Sequence, residues 1–404
     1  MISYMGTKAK LAGDVAKAIG RLPAGPLLDL FAGMASVSKA VGQRRQAWLN
    51  DAQAFACEVN RFQFQLGGEA RIDRESMSLF QSAYHWNKDC LERRYRVLLA
   101  AEAEALGSGS PTIVAECNEL LGRMLASHLD LAIDDSDHGK SMPYRLFCVT
   151  HSGGYVGLAQ AIEIDSLRYA IDAVKGGFQR ESMVHSFLIA VLGAALRQCA
   201  TTTGHFAQFL KPKPSNLRRW TAQRRLSVTA EFRKIFAASS AEGDADWRRS
   251  NHVFHGDAND LLDSLMLGQQ APSVVYADPP YTADHYSRYY HLLETLVDYK
   301  YQKVTGAGRY RPDRFASDFS TKTRVPEAFE RMISSSSAIG ASIVINYPEY
   351  GLMERSNQQI PDMLAKIFKR VRRPIRLAHQ HSTLGASKGE ERRDVSEYIY
   401  VATM

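Results

Sequence analysis

The chain of 404 residues has no uninterrupted apolar run of the ~18 residues that a membrane-spanning helix needs. Its longest apolar block, Phe187 to Leu196, is read as a buried helix. The first residues lack a charged head followed by an apolar core, which argues against secretion and for a cytoplasmic protein. Cysteine is scarce: Cys57, Cys90, Cys117, Cys148 and Cys199 are odd in number, scattered and without a C-x-x-C pair. Neither a disulfide framework nor a zinc site is expected from them, and no cysteine-nucleophile signature is present. They are expected to be packing residues. Glycine is thin where a dinucleotide fold would concentrate it, so the G-x-G-x-x-G pattern is missing. No ligand cluster points to a metal. There is no internal repeat and no long low-complexity tract.

The charge is uneven. The net charge is +7, and residues 197–249 alone carry eleven Lys/Arg against four Asp/Glu, a local excess of +7. Such a concentration favours a polyanionic partner. At this length two or three folding units are expected.

Pro26 to Phe31 reads as a short buried strand, Ser36 to Gln46 as a helix and Ala47 to Leu49 as a second strand. A helix from Ala52 to Gln65 follows. This order begins a doubly wound parallel sheet. Strand signals then stop. Residues 72–135 look helical with a break at Gly107–Pro111, residues 140–160 look like loop or short strands, and helical character returns over 164–200. Lys211-Pro212-Lys213-Pro214 is a breaker. Strands resume at Val253-Phe254, Ser273 to Ala277 and Ser342 to Asn346, and Ile375 to His381 with Val395 to Val401 form an antiparallel terminal pair. The expected organisation is one α/β domain, 1–66 and 250–404, interrupted by a largely helical insertion over 67–249.

Three constellations carry chemistry. Asp29 to Val37 places a small-residue turn between a strand and a helix, where backbone can approach a ligand and unpaired N–H groups are offered. Asn50-Asp51 ends the second strand. An acidic residue about twenty positions past a glycine turn can accept from ribose hydroxyls; it can equally cap a helix. Asp278-Pro279-Pro280-Tyr281 follows the strand Val274 to Ala277 and is the most specific signal in the chain. Two prolines fix the backbone and remove two donors. The strand end therefore presents a carboxylate, carbonyl oxygens and an aromatic face. An exocyclic amine needs that set: two acceptors for its hydrogens and a ring to stack on.

Asp278-Pro279-Pro280-Tyr281 resembles the D-P-P-Y motif of amino-methyltransferases, in the form usual for N6-adenine enzymes. Tyr4-Met5-Gly6-Thr7-Lys8 resembles the N-terminal cofactor segment of the Dam-like, or D12, class. Asp29 to Val37 resembles its first cofactor motif, Gly256-Asp257 a further acidic element, and Glu397 to Tyr400 its closing strand. Thr201 to Phe206 is a looser likeness. The order of the pieces fits as well.

The resemblance implies a doubly wound, Rossmann-like methyltransferase sheet. It implies transfer of a methyl group from S-adenosylmethionine to the N6 of an adenine flipped out of duplex DNA, with Asp278, Pro279, Pro280 and Tyr281 catalytic. Tyr4, Gly6, Lys8, Asp29, Phe31, Gly33, Ser36, Asp51, Asp257 and Asp278 would hold the cofactor, with Lys10 a rival to Lys8. Lys211, Lys213, Arg218, Arg219, Arg224 and Arg225 are the candidate DNA contacts. Tyr286, Arg288, Tyr289 and Tyr290 are candidates for shaping the base pocket, with half of them expected in the core. A restriction or phage-defence partner is implied; a metal and a membrane are not. An RNA adenine or cytosine-N4 enzyme, or an inactive DNA-binding homologue, remains an open alternative.

Overall fold

Eight strands form one sheet in the computed structural model, which describes residues 11–66, 73–137, 142–174, 181–381 and 393–404. They are β1 (Leu27–Asp29), β2 (Ala47–Asp51), β3 (His252–His255), β4 (Val274–Ala277), β5 (Ser342–Pro348), β6 (Arg370–Val371), β7 (Ile375–His381) and β8 (Arg393–Thr403). The order across the sheet is β3-β2-β1-β4-β5-β8-β6, with β7 also paired to β8. Strands β1 to β5 are parallel, and β8 runs antiparallel to β5, β6 and β7. The expected α/β fold with an antiparallel closing pair is what the chain adopts.

Strand β4 reads as a continuous apolar run because both of its faces are covered, as in parallel sheets generally. Val275 and Ala277 join a core with Leu262, Phe329 and Leu364. Val274 and Tyr276 join a second core with Val15, Ile19, Val37 and Val344. The helices Ala258–Met266, Val325–Ala338 and Ser356–Ile367 cover the first face; Ala12–Gly20 and Ser36–Val41 cover the second.

The described residues cluster into two compact units. The sheet unit draws on Ile2–Gly68, Ala241–Ser287 and Phe315–Met404. The other draws on Glu69–Ser240 and Arg288–Arg314 and is helical. Its helices include Arg74–Arg94, Arg96–Gly107, Pro111–Ala126 and Glu181–Cys199. The break expected at Gly107–Pro111 is present, with Ser110 capping the helix that begins at Pro111. Over 140–160 the loop reading holds for residues 142–145 and 151–157 but not for Leu146–Thr150, which is a helix, nor for the start of the helix Leu158–Ala173. The first amides of Leu146–Thr150, Phe147 N–H and Cys148 N–H, both donate to the buried Asp165 carboxylate at 2.9 Å, a long-range cap no local pattern announces. Residues 288–314, which no composition shift marks, cluster with the helical unit.

One buried cation secures the approach to β1. The Arg45 guanidinium donates to the carbonyls of Ile19, Leu22, Pro23 and Gly25 at 2.7–3.1 Å and to the Ser273 hydroxyl at 3.3 Å. It thereby ties the turn before β1 to the residue before β4. Arg45→Ala leaves four carbonyls without a charged donor and is expected to lower stability by about 2–4 kcal/mol. The check is a denaturant titration; an unchanged midpoint would show that water replaces the guanidinium at no cost.

Candidate active site

The strand order reverses between β1 and β4, and in open α/β sheets the crevice outside the carboxyl ends at such a point is where ligands bind. Asp29 ends β1, Asp51 ends β2, and Asp278 follows β4 directly. All three carboxylates line one pocket of the sheet unit, which encloses about 1070 Å³ with its open mouth included. Phe31, Gly33, Ser36, Asp257, Pro279, Pro280, Tyr281 and Tyr286 line it too. Residues far apart in sequence meet there because the parallel register places Asp29 beside Tyr276.

The turn after β1 is clamped from two sides. Gly33 has φ +51°, a left-handed conformation that glycine adopts at low cost. Its N–H donates to Asp51 Oδ2 at 2.8 Å, and its carbonyl accepts from Asn60 Nδ2 at 3.1 Å. Asp51 Oδ1 accepts from the Gln53 N–H at 2.7 Å. Asp51 therefore serves the turn and the start of the next helix at once, while its carboxylate stays on the pocket wall. Asp257 caps the helix Ala258–Met266 by accepting from Asn259 and Asp260 N–H groups at 2.8 and 3.3 Å.

Several pocket atoms are buried yet make no hydrogen bond among the described residues: Asp29 Oδ1, Asn50 Oδ1, Tyr276 Oη, His285 Nδ1, Ser287 Oγ and Ser320 Oγ. A buried polar atom left unmatched costs about 1–3 kcal/mol, so such atoms are few in folded proteins. Their convergence on one concavity marks a surface built for a polar ligand. Phe31, which meets Phe319 edge-on at 5.1 Å, and Tyr281 supply the apolar and aromatic part.

The electrostatics favour a cation. Burial pushes the Asp29 carboxyl up to about 7, with the neighbouring Asp278 and Asp51 adding to the rise and the 2.7 Å bond from Ser38 Oγ opposing it. Burial also raises Asp51, against bonds from the Gln53 and Gly33 amides. A positive ligand would relieve this crowding.

The remaining candidates divide. Tyr4, Gly6, Lys8 and Lys10 lie outside the described residues. In the helical unit, Tyr289 and Tyr290 are buried, and Arg288 donates to Tyr310 Oη at 3.0 Å. Thr201 and Phe206 are buried as well. Lys211, Lys213, Arg218 and Arg219 are exposed. Arg225 is exposed too, with one Nη donating to the Leu106 carbonyl at 2.7 Å. Arg224 needs correction: it is 4 % exposed, stacks on Trp220 at 4.5 Å and donates to the Gly154 carbonyl at 2.6 Å. Burial lowers its pKa to about 9. Helical phase explains the difference, because Arg224 lies on the same face as Trp220, four residues earlier. Arg248, counted in the same basic excess, is likewise buried against backbone carbonyls. Sequence reading missed Phe315, Ser317 and Ser320, which line the pocket from a segment without periodicity. Among the described residues, no group of three or more His, Cys, Asp or Glu side chains is arranged to hold a metal ion.

Residues 200–343 match the model of the D12 class N6 adenine-specific DNA methyltransferase family. The chain is similar to the type II methyltransferase M.FokI of Planomicrobium okeanokoites, 23% identical over 255 residues, covering 61% of this chain and 34% of that one. It is similar to the type II methyltransferase M.NlaIII of Neisseria lactamica, 25% identical over 246 residues, covering 59% and 64%. The modification methylase StsI of Streptococcus sanguinis is 23% identical over 209 residues, covering 52% and 28%. The matches thus span about a third of the M.FokI and StsI relatives and just under two thirds of M.NlaIII.

The raised Asp29 carboxyl has a measurable consequence. Unfolded, it loses its proton near 3.8; folded, near 7. Between those values the folded state holds the extra proton, so this group's contribution to stability falls as pH rises through the window. Asp29→Asn keeps the shape and removes the titration. Relative to wild type, the variant is expected to gain stability from pH 4 to pH 8 by an amount on the order of 2–4 kcal/mol. Parallel pH profiles in denaturant unfolding would show that Asp29 is ionised throughout.

Proposed function

We propose that this chain methylates the N6 of adenine in duplex DNA, using S-adenosylmethionine, a reading supported by the match of residues 200–343 to the D12 class N6 adenine-specific DNA methyltransferase model. The observation that carries the reading is the Asp278-Pro279-Pro280-Tyr281 strand end standing beside Asp29 and Asp51 in one pocket rich in unmatched polar atoms. The pocket suits S-adenosylmethionine in chemistry: carboxylates for a cationic molecule, polar atoms for a ribose and a purine, and apolar walls. Asp51 would take ribose hydroxyls, Gly33 and Ser36 would admit the backbone side, Phe31 would pack on a ring, and Asp257 would approach the purine amine. Tyr4, Gly6 and Lys8 would close the exposed side. When bound, the cofactor supplies a sulfonium methyl, an electrophile.

The chain's own residues would prepare the nucleophile. Adenine N6 is a poor one, because its lone pair is delocalised into the ring. The Asp278 carboxylate and the Pro279 carbonyl would accept the two N6 hydrogens and draw that nitrogen toward tetrahedral geometry. Pro279 and Pro280 carry no N–H, so neither offers a backbone donor that would compete with the amine for these acceptors. Tyr281 would stack on the base. Catalysis of this kind is positioning and electrostatics. The base must leave the helix to reach the pocket, at a cost of a few kcal/mol.

Purified protein is expected to yield N6-methyladenine in duplex DNA, and Asp278→Ala to lose turnover while keeping the fold. Nucleoside analysis of the product decides; N4-methylcytosine alone, or full activity in Asp278→Ala, would overturn the assignment.

Lys211, Lys213, Arg218, Arg219 and Arg225 are exposed cations of the helical unit that could meet DNA phosphates. Replacing Lys211, Lys213, Arg218 and Arg219 by Ala should weaken duplex binding and flatten its salt dependence by roughly 0.9 in log–log slope for each phosphate no longer neutralised. Cofactor affinity should not change. An identical salt titration would show these side chains to be a solvated face. A restriction or defence partner would follow from the kinship with modification enzymes and is proposed on that ground alone.

A further inference from the structure

The sheet unit carries a second basic surface that the methylation reading does not use. Residues 366–373 contain Lys366, Lys369, Arg370, Arg372 and Arg373 and no acid. All five are exposed. Arg372 Nη2 reaches the Arg21 carbonyl at 3.5 Å, which brings a sixth exposed cation from the helix end at Arg21 beside them. Among the described residues none of the six is held in an ion pair, whereas Arg331, on the same unit, is held by Asp260 and Asp263.

Register fixes where this surface lies. Arg370 pairs with Thr403, next to Ala402, which pairs with Ile343 at the entry of β5. Asp278 follows Ala277, which pairs with Ile345 and through it with Tyr400. Three residues of β8 separate the two levels, about 10 Å along the strand. The cations therefore stand at the amino end of the parallel strands, and the pocket opens at the carboxyl end.

Two ordinary explanations fall short. Charges protect exposed sheet edges, and β6 lies at the edge of this sheet. That accounts for Arg370 and Arg372, but not for Arg21 or the two lysines on a preceding segment. A cation at a helix C-terminus is favoured by the helix dipole, which accounts for Lys366 and for Arg21 at the end of Ala12–Gly20, but not for Lys369 or Arg373. Like charges concentrated on one surface repel one another, and a polyanion lying across them offsets that repulsion. Arginine forks and lysine ammonium groups both suit phosphate.

We propose that this surface binds the phosphate backbone of a second duplex DNA segment, without sequence preference, while the first engages the methylation pocket. The proposal rests on the duplex-DNA reading above.

The test is a bridging assay with the full chain. Protein loaded with a labelled short duplex is passed over an immobilised mixed-sequence duplex, and captured label is measured across a salt series. Wild type is expected to capture label. Replacing Lys366, Lys369, Arg370, Arg372 and Arg373 by Gln should cut capture about tenfold or more near 0.1 M salt. A charge-preserving variant, with Lys and Arg exchanged at the same five positions, should retain capture. Binding and methylation of the short duplex alone should match wild type in both variants, which also reports that they fold. Equal capture by wild type and the Gln variant would overturn the proposal, as would wild type that binds the short duplex yet captures none. Wild type that binds no duplex at all would instead overturn the DNA reading itself.

Discussion

Three backbone pairs decide whether this protein has a site. Leu27, Leu28 and Asp29 lie in parallel register with Val274, Val275 and Tyr276, although the two segments are far apart in the chain. That register alone sets the Asp29 carboxylate next to the strand end carrying Asp278. A slip of one residue would turn Asp29 to the opposite face of the sheet. The register is protected by burial on both faces, since Leu28 and Val275 enter one core and Leu27 and Val274 the other. Arg45 adds a polar lock at the entry of the same two strands. The pocket is thus a by-product of a short, strongly specified pairing.

Its polarity is unusual for so buried a place. Asp29, Asn50 and Tyr276 are each almost wholly removed from solvent, and each keeps an atom without a partner among the described residues. The surrounding fold must therefore tolerate unmatched polar groups and crowded carboxyls. The clamp on Gly33, with Asp51 on its N–H and Asn60 on its carbonyl, shows how that is done. Backbone that would otherwise relax around the pocket is held by side chains from the following helix and strand. Rigid support of this kind keeps a site open and poised instead of collapsed.

Much of this was legible in the sequence, and the limits have physical causes. Strand β4 with its Pro-Pro stop, the terminal pair β7 and β8, and the glycine turn after β1 announce themselves by local pattern. The carboxylates at the strand ends followed from where those strands stop. What local pattern cannot show is which exposed-looking residue a helix turns inward. Arg224 belongs to a basic run, yet its position beneath Trp220 sends it to the Gly154 carbonyl. The helix Leu146–Thr150 was missed because its cap, Asp165, lies in a later helix. Ser317 and Ser320 reach the pocket from one short 3-10 turn, Asp318–Ser320 capped by Ser317, too brief to leave a periodic trace. Two-residue β6 is too short to leave any periodic trace.

The place of β8 bears on how the chain comes off the ribosome. It is the last strand in sequence but an interior one in the sheet, flanked by β5 on one side and by β6 and β7 on the other. Until it emerges, β5 has an open edge, and Ile343, Val344 and Ile345 lie on a strand with no neighbour there. The helical unit, encoded largely before β3, has its main segment complete well before that. During synthesis the chain should therefore pass through a stage in which the helical part is folded and the sheet is still unclosed. Chaperone engagement would be expected at that stage, because unpaired strand edges and exposed apolar surface invite aggregation.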